Sequence, residues 1–155
     1  MRFLFCDRVV ELEPGRRALG RKVISIDALY FTDHFSRRAV MPAPLLIEAV
    51  AQLSGWLNFV THERAIRMVV ALVEEVEILA DVAPGDVLDV EVWVDRLHAG
   101  GLTVRGEVRN GSQPVATIGR MVFANQAVAA GGFSPSERRH HVYLDGGAAE
   151  GQERA

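Results

Sequence analysis

Apolar and polar positions alternate most clearly in the second half of the chain. In VLDVEVWVD, Leu88, Val90, Val92 and Val94 fall on one side, and Asp89, Glu91 and Asp95 on the other. LTVRGEVR repeats the pattern, with Leu102, Val104 and Val108 against Thr103, Arg105, Glu107 and Arg109. A period of two marks a half-buried β-strand. Asn110-Gly111, leading into QPVATIGRMVFA, predicts a hairpin. RMVVALVEEVEIL is a further strand, and FLFCDRVVELE and RRALGRKVISI, joined at Pro14-Gly15, give two more. The strands of the second half follow one another as a meander, so that part of the sheet is expected to be antiparallel.

Residues 43–61 break the alternation. Leu45, Leu46, Ile47, Val50, Leu53, Trp56, Leu57, Phe59 and Val60 surround a helical axis rather than forming one stripe. Pro42 and Pro44 mark the start, because the first helical turn has N–H groups without intrahelical partners. A helix apolar on all sides is buried on all sides, and in a chain this short a sheet must wrap it. The expected class is therefore α+β: an antiparallel sheet of about six strands around one long central helix.

Composition changes this picture little. The 155 residues, 49% hydrophobic and 24% charged, suit one domain with a real core. A net charge of -3 argues against a general nucleic-acid binder. The single cysteine, Cys6, allows no internal disulfide and fits the cytoplasm; it reads as a small buried hydrophobe. MRFLFCDRVV lacks the features of a signal peptide. The run at 44–60, interrupted by Glu48, Gln52, Ser54 and Asn58, is too short and polar for a membrane span. The domain is expected over 1–125. Residues 126–155, rich in Gly, Ala, Ser and charge, read as a mobile tail in which His140 and His141 are solvated. There is no internal repeat, glycine-rich phosphate loop or zinc cluster in the sequence.

The candidate chemistry lies at the helix start. Glu48 is a carboxylate on a helix expected to be buried, where an isolated charge is expensive. Desolvation there would raise its pKa and suit a general acid. Gln52 and then Gly55 continue the same face at one-turn spacing. The competing explanations for Glu48 are an ion pair with Arg37 or Arg38, or a charge favouring the helix N-terminus. His34, in a loop fourteen positions before Glu48, has no role by itself. His62 fits a partner for the helix C-terminus.

Taken with the residues around them, these positions resemble a known signature. The β-hydroxyacyl-acyl-carrier-protein dehydratases, hot-dog enzymes of fatty-acid synthesis, typically show His-Phe-Pro, then Pro-Val-x-Pro-Gly-Val-Leu, then Glu-Ala-x-Ala-Gln. Here His34, Phe35, Val40, Pro42, Leu45, Glu48, Ala49, Ala51 and Gln52 match at that spacing. RFLFCDRVVELEPG is similar to the family's opening hairpin, and VAPGDVLDVEV to its turn and following strand. Ser36, Arg37, Ala39, Ala43 and Pro44 depart from the pattern. Ala43 stands in place of a glycine whose N–H holds the thioester carbonyl oxygen, and Pro44 has no N–H to offer.

The resemblance implies the hot-dog fold and a dimer whose sheets join edge to edge. It places the site at the interface, with His34 from one subunit and Glu48 from the other lining an acyl tunnel. It implies dehydration of a 3-hydroxyacyl thioester to the trans-2-enoyl thioester, in fatty-acid or related lipid or polyketide synthesis. His34 would take the α-proton, protonated Glu48 would assist departure of the hydroxyl, and the Ala43 N–H would polarise the carbonyl. Gln52, Val40 and Phe35 would support the site. It implies no metal or redox cofactor, since the 4′-phosphopantetheine arm of acyl carrier protein or coenzyme A arrives with the substrate. Arg37, Arg38, Arg64 and Arg67 are candidates for docking an acidic carrier protein, ordinary solvated charge being the other reading. Two further classes stay open: a thioesterase of the same fold, and a non-catalytic acyl-binding dimer.

Overall fold

In the computed structural model, which describes residues 4–31, 38–62 and 66–127, Ala43–Thr61 form the long helix, α1, over the span the apolar pattern predicts. Pro42 precedes its first turn. His62 closes it, its N–H donating to the Asn58 carbonyl at 3.0 Å. The strands are β1 (Arg8–Glu13), β2 (Arg17–Val23), β3 (Ile66–Ile78), β4 (Val87–His98), β5 (Gly101–Asn110) and β6 (Gln113–Ala127), with a 3-10 turn at Leu29–Phe31 before α1. They form one antiparallel sheet in the order β1-β2-β4-β5-β6-β3, so the meander expected of all the strands after the helix holds for β4, β5 and β6 but not for β3, which pairs with β6 at the sheet edge and not with β4. The first two residues of the expected tail continue β6; 128–155, with His140 and His141, lie outside the described residues.

The alternating positions face the helix as predicted. Leu88, Val90 and Val92 of β4, and Leu102, Val104 and Val108 of β5, are almost inaccessible and pack with Leu46, Val50, Leu53 and Leu57 of α1. Burying each such side chain stabilises the fold by roughly 1.5–3 kcal/mol. A flat sheet would not follow a helix of this girth. Register shifts between Val9 and Glu11, Val70 and Leu72, Val94 and Arg96, and Val104 and Gly106 mark bulges, which bend strands and add twist. The length and hydropathy of α1 would suffice to cross a membrane. Here, however, nine of its nineteen residues are buried within the domain.

The sheet has two edges of different character. β1 is short. β3 runs for thirteen residues and leaves Val69, Val70, Leu72, Val76 and Ile78 with 36–46% of their surface exposed. That is a long apolar edge of the kind that invites pairing. Within β3, Glu75 adopts φ 55, and its side chain lies over Gly119 of β6, where any Cβ would collide with it.

Helix and sheet come close at Gly106, where an added Cβ would lie 2.5 Å from Val50 Cγ1. Gly106→Ala is therefore expected to destabilise the domain by about 1–3 kcal/mol in urea unfolding. Combining it with Val50→Ala should cost clearly less than the two single losses added together; simple additivity would show that the two positions do not meet. Cys6 gives a second test. It is buried, its Sγ–H donates to the Arg8 carbonyl at 3.4 Å, and loss of water pushes the thiol from 9.0 up to about 11. With the native value raised, the buried thiol favours folding fully below pH 9, and this contribution fades as pH rises towards 11. Unfolding midpoints measured from pH 8 to 11 should thus fall more steeply for the natural chain than for Cys6→Ala.

Candidate active site

The residues singled out on α1 come together on its uncovered side. Glu48 is exposed in the single chain, and Gln52 and Gly55 are half-buried. A Cβ on Gly55 would meet nothing within 4 Å. This corrects the expectation of burial on all sides. The sheet curls around the face bearing Ala49, Val50, Leu53 and Leu57, and leaves a strip running from Pro44 through Glu48 to Gly55 open. The burial expected of Glu48 is therefore not found in the single chain.

Two hydrogen bonds order that strip. The Gln52 side-chain amide donates from Nε2 to Glu48 Oε1 at 2.9 Å. Its Oε1 in turn accepts the main-chain N–H of Phe5 at 2.9 Å. Gln52 thus contacts Glu48 directly, and the link to Phe5 has no signature in sequence, since it is made by a main-chain N–H outside regular structure. The alternative ion pair of Glu48 with Arg38 is absent: Arg38 pairs with Asp81 at 2.8 Å, both well exposed. The loop before α1 is tied to the 79–82 segment, where the Met41 N–H donates to the Val82 carbonyl at 2.8 Å.

Ala43 begins α1, and among the described residues nothing accepts its N–H. It is one of the donors that every helix start leaves over. Val40 is half-buried beside it. His34, Phe35 and Arg37 lie outside the described residues, as does Arg64; Arg67 takes part in β3 through its backbone, opposite Gln126. The residue before the His34 segment, Phe31, packs on Tyr30 with ring centres 4.6 Å apart, and Tyr30 on Phe5 at 6.2 Å. The Tyr30 hydroxyl is buried without a hydrogen-bond partner among the described residues, and its pKa is raised by that desolvation and by Asp7. His62 lies at the far end of α1, its Nδ1 3.0 Å from the Asn58 carbonyl oxygen, as expected of a helix-end partner. Among the described residues no group of three or more His, Cys, Asp or Glu side chains is placed to hold a metal.

An exposed carboxylate held by a primary amide, on an apolar helix whose first N–H is unpaired among the described residues, can carry a proton to a group that also presents a carbonyl oxygen. Comparison with known proteins bears on which group that is. The FabA-like domain family matches residues 1–118. The 3-hydroxyacyl-acyl-carrier-protein dehydratase FabZ of Roseiflexus sp. (strain RS-1) is 39% identical over 99 residues, 63% of this chain and 69% of that protein. The protein of the same name from Geobacillus thermodenitrificans (strain NG80-2) is 31% identical over 135 residues, covering 86% and 88%. Among solved structures, a hot-dog-like protein from Thermanaerovibrio acidaminovorans superposes with a TM-score of 0.63 at 18% identity, covering 84% of this chain and 91% of that one. The sheet order, the single wrapped helix and the run of matched positions from the opening hairpin to β6 agree: the chain belongs to the FabA-like domain family and has its hot-dog fold.

Proposed function

We propose that the chain dehydrates 3-hydroxyacyl groups carried on acyl carrier protein, giving trans-2-enoyl thioesters in fatty-acid synthesis. The observation that carries this reading is the Gln52-held carboxylate of Glu48 on the open strip of α1, fourteen positions after His34 as in the family's signature. The chemistry requires a base for a weakly acidic α-hydrogen and an acid for a poor leaving group. His34 takes the α-proton; the electron pair forms the C2–C3 double bond; the C3–O bond breaks; and Glu48 delivers a proton to the departing oxygen, releasing water. The free Ala43 N–H, at the positive end of α1, receives the thioester oxygen as enolate charge develops. This scheme uses no metal or redox cofactor, and the 4′-phosphopantetheine arm belongs to the substrate.

The open strip and the apolar edge of β3 both call for a second copy of the chain. We assign the β3 edge to a symmetric dimer, in which Glu48 of one chain is covered by, and works with, the partner chain. Docking of the acidic carrier protein falls to Arg37, Arg38, Arg64 and Arg67; of these, Arg38 already shares its charge with Asp81. The cytoplasm is the compartment this reading implies.

Two measurements test it. In light scattering the natural chain is expected to be a dimer or a multiple of one, and Leu72→Lys with Val76→Lys to shift it towards monomer, because a charged edge resists pairing. A natural chain that is monomeric at micromolar concentration overturns the shared site. In activity assays His34→Ala and Glu48→Gln should each lower enoyl formation about 10²–10⁴-fold. An equal mixture of the two, after subunit exchange, should recover about a quarter of natural activity, since half the dimers are mixed and each holds one intact site. Release of free thiol and hydroxy acid without enoyl product would instead identify a thioesterase.

A further inference from the structure

The segment ahead of β1 reaches the helix carboxylate through one side chain. A primary amide has one accepting and one donating end. In Gln52 the accepting end, Oε1, takes the Phe5 N–H at 2.9 Å, and the donating end, Nε2, is thereby turned to Glu48 Oε1 at 2.9 Å. Were the amide reversed, two N–H donors would oppose one another at Phe5, and an oxygen would face the carboxylate. The Phe5 N–H therefore favours the orientation in which the donating end of Gln52 meets Glu48. Phe5 is itself firmly placed. It is 2% exposed, and its ring lies against Tyr30. Two positions on, the Asp7 N–H donates to the Arg21 carbonyl at 2.8 Å, and the Asp7 carboxylate accepts from Lys22 Nζ at 2.6 Å and from the Val23 N–H at 2.7 Å.

We propose that Phe5 is a positioning residue for the dehydration site, acting through its main-chain N–H. Resting on the dehydration reading above, this relay assigns different tasks to the two oxygens of Glu48. Oε1 is kept as an acceptor by Gln52 Nε2. Oε2, which has no hydrogen-bond partner among the described residues, is the oxygen that carries the proton to the leaving hydroxyl. The relay thus fixes the acid's orientation as well as its place, which bears on turnover rather than on substrate binding.

The chain offers a way to remove this one N–H. Cys6, its single cysteine, directly follows Phe5. A synthetic Met1–Phe5 thioester can therefore be ligated to Cys6–Ala155 with no other change. An ester in place of the Leu4–Phe5 amide then substitutes oxygen for the N–H alone. Against the all-amide ligated protein, the ester form is expected to lose kcat about tenfold with KM within about twofold. Gln52→Met, which keeps side-chain length but neither accepts nor donates, should lose a similar factor, and the ester in that background should add nothing further. The Gln52 side-chain amide resonances should shift in the ester form and in Glu48→Ala. An active all-amide protein whose ester form keeps its kcat overturns the positioning role alone, as do losses that multiply in the combined variant or a Gln52→Met protein with unchanged kcat. An all-amide protein that folds but makes no enoyl product overturns the dehydration reading, and this role with it, whatever the amide resonances show.

Discussion

Helix α1 is apolar over most of its circumference, and such a helix is stable in water only where other groups cover it. Here the whole sheet serves that end. Its inner positions are valine and leucine, its bulges bend it around the helix, and Gly106 lets a strand come close enough to touch Val50. The cover is incomplete because six strands curling past one helix leave its first turns open along one line, the line that Pro44, Glu48, Gln52 and Gly55 occupy. The single carboxylate of the helix thus stands where the core does not have to accommodate it.

The polar residues of α1 divide along the same line. On the covered side each is drawn into the fold: the Ser54 hydroxyl donates to the Val50 carbonyl at 2.8 Å, and the Asn58 amide reaches Asn125 Oδ1 at 3.3 Å. The Ser54 hydroxyl and the Asn58 Nδ2 are thereby satisfied, as burial requires, whereas the buried Asn58 Oδ1 has no hydrogen-bond partner among the described residues. On the open side Gln52 faces two ways, one end anchored to main chain and the other to Glu48. A side chain so held loses little further freedom when a reacting group arrives, which is the physical meaning of preorganisation.

Elements whose signals are local were legible in the sequence. The span of α1 follows from Pro42, Pro44 and the run of large apolar residues, and the β4, β5 and β6 meander follows from strict alternation and Asn110-Gly111. Pairing between distant strands was not legible. Nothing in RMVVALVEEVEIL states that it lies beside β6, because its apolar residues would suit several positions in a sheet. The site divides in the same way. The spacing of Glu48 and Gln52 put them on one face, and their hydrogen bond follows. The exposure of Glu48 depends on how far a sheet of this size can wrap, which no single stretch records. The partner of Arg38 is Asp81, a residue far along the chain and unremarkable in sequence.

The place of β3 in the sheet has a consequence for synthesis. Its register partner is β6, so that Ile66 lies opposite Ala127 and Ile78 opposite Ala116. A ribosome completes β3 at Ile78 and reaches the end of β6 forty-nine residues later, at Ala127. At about 5–20 residues per second this leaves the strand, and the helix made just before it, without their cover for some seconds. During that interval the nascent chain displays an apolar helix and a long apolar strand together, and its safe passage depends on the surroundings at the tunnel exit rather than on the finished fold.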